Sequence, residues 1–351
     1  MTATSYQRFR LWSGICSIGL NLSLAWLAYG ISLGFGDISF YPAPWILPLY
    51  ALLISVFLIL AFLPFEILIG FAAESSLGRT NESLNSWLSS WVKNQRFGIL
   101  SLACGISLFG WLGPATWGAT WIAAALLCFV LILIIYVLPS LIEHLGTGHI
   151  SKNERLESRI NEELEQLGTE PVRLRLIDDG GQEGVNGMML PFYKNRFFIN
   201  QSAADQLSAK ELGLLALREQ WFQNCGQTRL SLLIIITWSV AGFLLSCTVP
   251  GGVLPANTAL QHGLGGMAIM TSWCFLALFV WPPLSNRAML NADSYLAEKS
   301  SPDQVLALIQ KLQKLNQSDD TLTTEKEWVF HPIPSLRKRI NNIEALSLEP
   351  S

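Results

Sequence analysis

The sequence predicts a mainly α protein, a polytopic membrane helix bundle of about six spans carrying an α+β domain assembled from two separate chain segments. Three observations predict it. Only 14% of the 351 residues are charged while 51% are hydrophobic, where an average soluble domain carries about a quarter charged residues. The apolar residues gather into runs that approach or exceed the roughly 20 residues that cross a bilayer. Two polar segments, 143–229 and 283–351, are then left over, separated by an apolar hairpin.

Candidate spans lie at 12–35, 45–72, 97–113, 119–142, 230–249 and 264–282. The third is short and interrupted by Gly105 and Gly110, so its helix is expected to start before Phe97. Trp45, Trp91, Trp111, Trp117, Trp121 and Trp281 fall near span ends, where an amphipathic ring prefers the headgroup level. Glu66 sits within the second span. A carboxylate in lipid faces a partner or the bundle interior; alternatively, the helix ends earlier and Glu66 is wet.

Charge sets the expected orientation. The connectors 35–44, 114–118 and 250–263 contain no Lys or Arg, so all 23 basic residues fall in the N-terminal tail, 73–96, 143–229 and 283–351. This asymmetry predicts that both termini are cytoplasmic. The first apolar run has no small-residue cleavage pattern behind it and reads as a retained helix. A net charge of -3 offers nothing to a nucleic-acid backbone. The six cysteines form no CxxC pair; most sit in or beside apolar runs and read as small buried hydrophobes.

The expected organisation is a four-helix membrane region (1–142), the first half of a cytoplasmic domain (143–229), a transmembrane hairpin (230–282) and the second half of that domain (283–351). In the first half, Leu156, Ile160, Leu164 and Leu167 repeat at helical spacing. Val172, Leu174 and Leu176 alternate with Arg173 and Arg175 as in a strand, and 196–200 reads as a second. Ser208, with Glu211 three residues on, forms a capping box for a helix over 209–224. In the second half, Pro302-Asp303 opens a helix with Val305, Leu308, Ile309 and Leu312 on one face. His331-Pro332 leads into a basic helix containing Arg337, Lys338 and Arg339.

Within the capped helix, Leu207-Ser208-Ala209-Lys210-Glu211-Leu212 precedes Arg218-Glu219-Gln220-Trp221-Phe222. Val185-Asn186-Gly187 stands upstream; Asn291-Ala292-Asp293-Ser294-Tyr295-Leu296-Ala297 and His331-Pro332 followed by Arg337 or Arg339 stand downstream. Residues 74–93 add Glu74, Leu77-Gly78, Asn81, Trp87-Leu88 and Lys93. In this order the elements resemble the membrane-embedded gluzincin metallopeptidases, the family of the CAAX prenyl endopeptidases and the bacterial heat-shock membrane protease. The resemblance covers about 60–345. It implies a zincin-like fold for the α+β domain, a bacterial inner-membrane location and a site on two helices.

In that family a helix carries H-E-x-x-H: the histidines, on one face, ligate zinc while the glutamate takes a proton from bound water, and a glutamate from a later helix completes the set. The resemblance places the two histidines on Arg218 and Phe222 and the later glutamate on Met289, with Asn291 at a second acidic position. Glu219 and Asp293 are kept. A guanidinium is permanently protonated and cannot ligate zinc, Phe222 has no donor, and the Met289 thioether suits copper(I). The family's zinc cofactor is therefore not expected.

Arg218 is expected either to lie solvated or to replace the cation, pairing with Glu219 or, more favourably, with Asp293. Phe222 and Met289 are expected to fill the remaining space. Of the four histidines (His144, His149, His262 and His331), none has a partner at metal-ligand spacing. Glu66, Asn186, His331 and Arg337 remain as candidates for a structural or partner site. The expected protein is a catalytically inactive scaffold, assembly factor or accessory subunit of a membrane complex. The alternative is a divergent membrane endopeptidase using Glu219 with an unusual or partner-completed metal site.

Overall fold

In the computed structural model, the described residues are 3–34, 46–72, 75, 83–113, 117–144, 150–177, 185, 187–189, 195–316 and 333–348. The first helices given in full are α1 (Ala3–Gly34), α2 (Leu47–Glu66), α3 (Leu84–Leu112) and α4 (Trp117–His144). A π-helical turn, Ile67–Ala72, extends α2. The sheet-bearing region follows, with β1 (Ile150–Ser151), α5 (Glu154–Gln166), β2 (Arg173–Ile177), β3 (Gly187–Met189), β4 (Arg196–Asn200), α6 (Gln201–Gln206) and α7 (Ala209–Asn224). Then come α8 (Gln227–Gly252), α9 (Ala259–Lys299), α10 (Pro302–Asn316) and α11 (Leu336–Leu348).

Among the described residues, five stretches are long and apolar enough to cross a membrane: Trp12–Gly34, Leu47–Ala72, Leu84–Leu112, Gln227–Gly252 and Ala259–Lys299. Ala119–Leu133 within α4 is a shorter apolar stretch. The third helix starts well before Phe97, because Ser83 caps it by accepting from the Ser86 N–H at 3.3 Å. Lys93 and Arg96 therefore stand on a helix instead of in a connector. The last span and the segment expected to follow it are one helix of 41 residues, which passes through Pro282 and Pro283 without a break.

The chain divides into two compact units, Met1–Cys128 with Trp238–Ala277, and Phe129–Thr237 with Leu278–Ser351. The divisions fall inside α4, α8 and α9, the first two in the middle of expected spans and the third near the end of one. In the first unit small residues allow close helix approach. A Cβ on Gly105 would lie 2.8 Å from the Met267 sulfur, and one on Gly242 would collide with Trp273. Trp273 stacks on Trp238 with centroids 4.3 Å apart and donates to the Trp238 carbonyl at 2.9 Å. At another end of this unit, Tyr29 Oη donates to the Pro255 carbonyl at 2.6 Å and Gln261 Nε2 to the Ser32 carbonyl at 3.1 Å. His262, expected in an outer loop, is instead buried in the first turn of α9 against Gly113 and Gly251.

The cysteines depart from expectation. Cys247 is buried, but Cys16, Cys104, Cys225 and Cys274 are exposed. On an apolar helix in lipid, an outward thiol carries little penalty, so burial is not required of it.

The second unit has a conventional hydrophobic core. Its sheet has the order β1-β2-β4-β3, with β2 and β4 parallel and the outer strands antiparallel to their neighbours. Leu174, Leu176, Phe197 and Ile199 from the two central strands pack with Ile160 and Leu164 of α5, Leu212 and Leu215 of α7, and Leu308 of α10. The sequence anticipated both central strands. It missed β1 and β3, which have two and three residues and too little alternation to register.

Candidate functional site

The site is carried by α7, the second half of α9, and α11, all in the second unit. The start of α7 is fixed by the expected capping box: Ser208 Oγ accepts from the Glu211 N–H at 3.3 Å, and Glu211 Oε2 accepts from the Ser208 N–H at 2.7 Å. Lys311 of α10 donates to the same Oε2 at 2.7 Å. Burial works to raise the Glu211 pKa, but the hydrogen bonds from Lys311 and Ser208 and the lysine's charge prevail and hold it below its ordinary value. Residues Leu212 to Leu217 are all buried. At Gly213 α7 crosses α5 closely; a Cβ there would lie 3.2 Å from Glu163 Cβ.

Past this buried stretch the helix presents Arg218-Glu219-Gln220-Trp221-Phe222. Arg218 donates through Nε and Nη2 to Glu219 Oε1, at 3.2 and 3.1 Å. Both side chains are mostly shielded, at 15% and 13% exposure. Gln220 is buried and donates to the Glu170 carbonyl at 2.6 Å, tying α7 to the approach to β2. Trp221 meets Phe222 edge-on with centroids 5.4 Å apart, and meets Tyr295 of α9 at 6.3 Å. Phe222 and Met289 are both half-buried.

The expected pairing of Arg218 with Asp293 is not formed. Asp293 is fully buried and accepts from Arg339 of α11, Nε to Oδ2 at 2.6 Å and Nη2 to Oδ1 at 2.7 Å. A two-pronged guanidinium–carboxylate contact satisfies both oxygens, so Asp293 has no call on a second cation, and Arg218 takes its chain neighbour. Asn342 of α11 adds bonds to the Leu290 carbonyl at 3.2 Å and Ser294 Oγ at 2.9 Å.

The sequence proposed Arg337 or Arg339 as the closing arginine and favoured Arg337 as a candidate. Arg337 is exposed, whereas Arg339, about half a helical turn round α11, is buried. Asn186 and His331 lie outside the described residues. Glu66 belongs to the other unit, where it is half-buried as the last residue of α2. Sequence reasoning missed Gln220, whose buried side chain anchors α7; an amide inside an otherwise apolar helical face was its available signal. It also missed Asn286 of α9, whose buried Oδ1 has no hydrogen-bond partner among the described residues.

The donor set does not fit zinc. The three ligand positions that the resemblance implies hold a guanidinium, a phenyl ring and a thioether, and the adjacent glutamate is engaged by the guanidinium. Among the described residues, no group of three or more His, Cys, Asp or Glu is placed to hold a metal ion.

No family model matches the chain, and no curated protein does. Among solved structures, the crystal structure of S. mikatae Ste24p is similar, with a TM-score of 0.69 at 16% sequence identity, covering 97% of this chain and 88% of that one. A likeness at this identity shows a common fold.

Proposed function

We propose that this chain is a catalytically silent member of the membrane metallopeptidase lineage that works by binding, as a scaffold, assembly factor or accessory subunit of a membrane complex. The observation that carries this reading is the pair Arg218–Glu219. A permanent cation occupies the position of a zinc-binding histidine and engages the carboxylate that would otherwise activate water. The fold likeness to S. mikatae Ste24p, together with the sequence resemblance to the membrane metallopeptidases, supplies the frame, and fold without the site's residues does not license activity. In this reading α4 is a sixth span, the sheet-bearing unit stands in the cytoplasm with both termini, and the membrane is a bacterial inner membrane.

The test uses the full chain purified from membranes in mild detergent, with bound proteins identified and metal content measured on the same sample. The expected result is a co-purifying membrane protein, zinc far below one per chain, and unchanged association in Glu219→Gln. Cleavage of a membrane or prenylated peptide that is abolished by a chelator and by Glu219→Gln would overturn the reading and establish a divergent endopeptidase.

A further inference from the structure

A polar cluster lies at the end of the first unit where α8 turns back into α9. Pro250 (φ -66°, ψ 129°) and Gly251 (φ 83°, ψ -21°) leave the helical region with the dihedrals of a type II turn. The Gly251 N–H then donates to the Leu254 carbonyl at 2.7 Å. Two consecutive side chains in the first turn of α9 fasten this turn to its neighbours. Gln261 Oε1 accepts from the Asn257 N–H at 2.7 Å, and its Nε2 donates to the Ser32 carbonyl of α1. The His262 ring lies between Gly251 and Gly113, the C-cap of α3, so closely that a Cβ on either glycine would collide with it. The ring is hydrogen-bonded to the Pro250 carbonyl. Its Nδ1 is buried and has no hydrogen-bond partner among the described residues, so the bond to Pro250 comes from Nε2.

Nothing around this ring can balance a charge. Residues 11–65, 97–142 and 230–286 contain no Lys, Arg or Glu, one Asp (Asp37) and one His, which is His262. Asp37 lies outside the described residues. The remaining titratable side chains on these stretches are tyrosines and cysteines, Tyr29, Cys104 and Cys247 among them, which ionise in alkaline solution. A neutral imidazole suits the place, because Nε2–H meets a carbonyl and Nδ1 carries a lone pair. Protonation adds an N–H at Nδ1, where no acceptor waits, and a charge with no counter-ion. The C-terminal end of α3 favours a cation modestly; burying an unpaired charge costs more. Once the turn swings open the imidazolium meets water, so the open form binds the proton more tightly and gains as pH falls.

We propose that His262 is an acid-released latch, whose neutral ring clasps the α8–α9 turn to the end of α3 and whose protonation frees that turn. Histidine is the side chain that ordinarily changes charge between about pH 5 and 8. The latch belongs to the first unit and does not depend on the Arg218–Glu219 site, so each can fail without the other.

The test is hydrogen exchange of the full chain in mild detergent, read by mass spectrometry at about pH 7.5 and about pH 5.5 and corrected for the intrinsic rate. A histidine in the open form titrates near about 6.5, so the opening equilibrium should rise about tenfold over this interval. Peptides covering 247–254 and 107–113 should exchange faster by that factor, while those from the sheet of the second unit keep their rates. His262→Gln, which is neutral at both values and still offers an N–H, should remove the acceleration. If that variant does not accumulate, a chain with His144, His149 and His331 all replaced by Gln serves instead, and it should keep the full tenfold response. No acceleration in the natural chain would overturn the proposal, as would acceleration that persists in His262→Gln or disappears in the triple variant. Loss of the response in Asp37→Asn would also overturn it, since the proton would then be taken up by the carboxylate.

Discussion

Glu219 on α7 and Asp293 on α9 are the two carboxylates that fall on acidic positions of the metallopeptidase pattern the sequence resembles, and they are held in opposite ways. Asp293 is wholly buried and joined through both oxygens to an arginine 46 residues along the chain, on a different helix. Glu219 keeps a little exposure and pairs with the residue beside it, on its own helix. The first contact holds two elements together; the second joins nothing that the backbone has not already joined. The Asp293 contact therefore supports the architecture, whereas in the proposed reading Arg218, Phe222 and Met289 stand at positions where hydrolysis would need metal ligands and can only fill or neutralise space.

The largest expected effect comes from restoring the donors. If Arg218, Phe222 and Met289 occupy the ligand positions, Arg218→His, Phe222→His and Met289→Glu together should rebuild a three-donor site. Positions 218 and 222 share a helical face, and the Trp221–Tyr295 contact already brings α7 to α9. Zinc should then bind at one per chain, with an affinity gain of about a thousandfold or more over the natural sequence, measured by equilibrium dialysis. The two histidines without Met289→Glu should bind more weakly. Zinc remaining far below one per chain in the triple variant would break the comparison, because those positions would no longer be the former ligand positions.

The next effect separates the two carboxylates directly. Arg339→Met leaves Asp293 charged and buried without its partner, a change that costs about 3–5 kcal/mol. It should lower the thermal midpoint of the detergent-solubilised protein by several degrees or prevent its accumulation. Arg339→Met combined with Asp293→Leu should recover most of that loss, since replacing both partners with apolar groups is often near neutral. Glu219→Gln, measured in the same way, should change stability by less than about 1 kcal/mol. Equal losses at the two carboxylates would erase the distinction between a structural and a vestigial position.

Much of this was legible in the sequence because the features are local or periodic. Span positions follow from runs of apolar residues, the capping box from Ser208 and Glu211 at a fixed offset, and the central strands from alternation. The side chains at the ligand positions that the resemblance implies could be named because they depend on residue identity alone. The partner of Asp293 could not. Arg218 and Arg339 were both available cations, and the choice turns on the rotation of α11, where a two-residue step separates the buried Arg339 from the exposed Arg337. The continuity of α9 through Pro282 and Pro283 was also hidden, since prolines ordinarily signal a helix end. At Glu66 the sequence supplied the carboxylate but not the π-helical turn that follows it or the Trp87 indole packed on Gly70.

The smallest effect concerns the start of α7, a third carboxylate that belongs with Asp293 as a joining residue. Glu211 caps its own helix and receives Lys311 from α10, and its pKa is held below the ordinary value of 4.5. Because the folded value lies below the unfolded one, the stabilisation is fully present above the unfolded value and is lost as pH falls from there through the folded value. A cap and a partly exposed ion pair together contribute about 1 kcal/mol. Glu211→Gln should therefore be less stable than the natural protein at pH 7 by about that amount and converge with it as the pH is taken below the folded value. Lys311→Met should show a smaller version of the same convergence. A difference that stayed constant across this range would mean that shape alone, without the charge on Glu211, fastens α7 to α10.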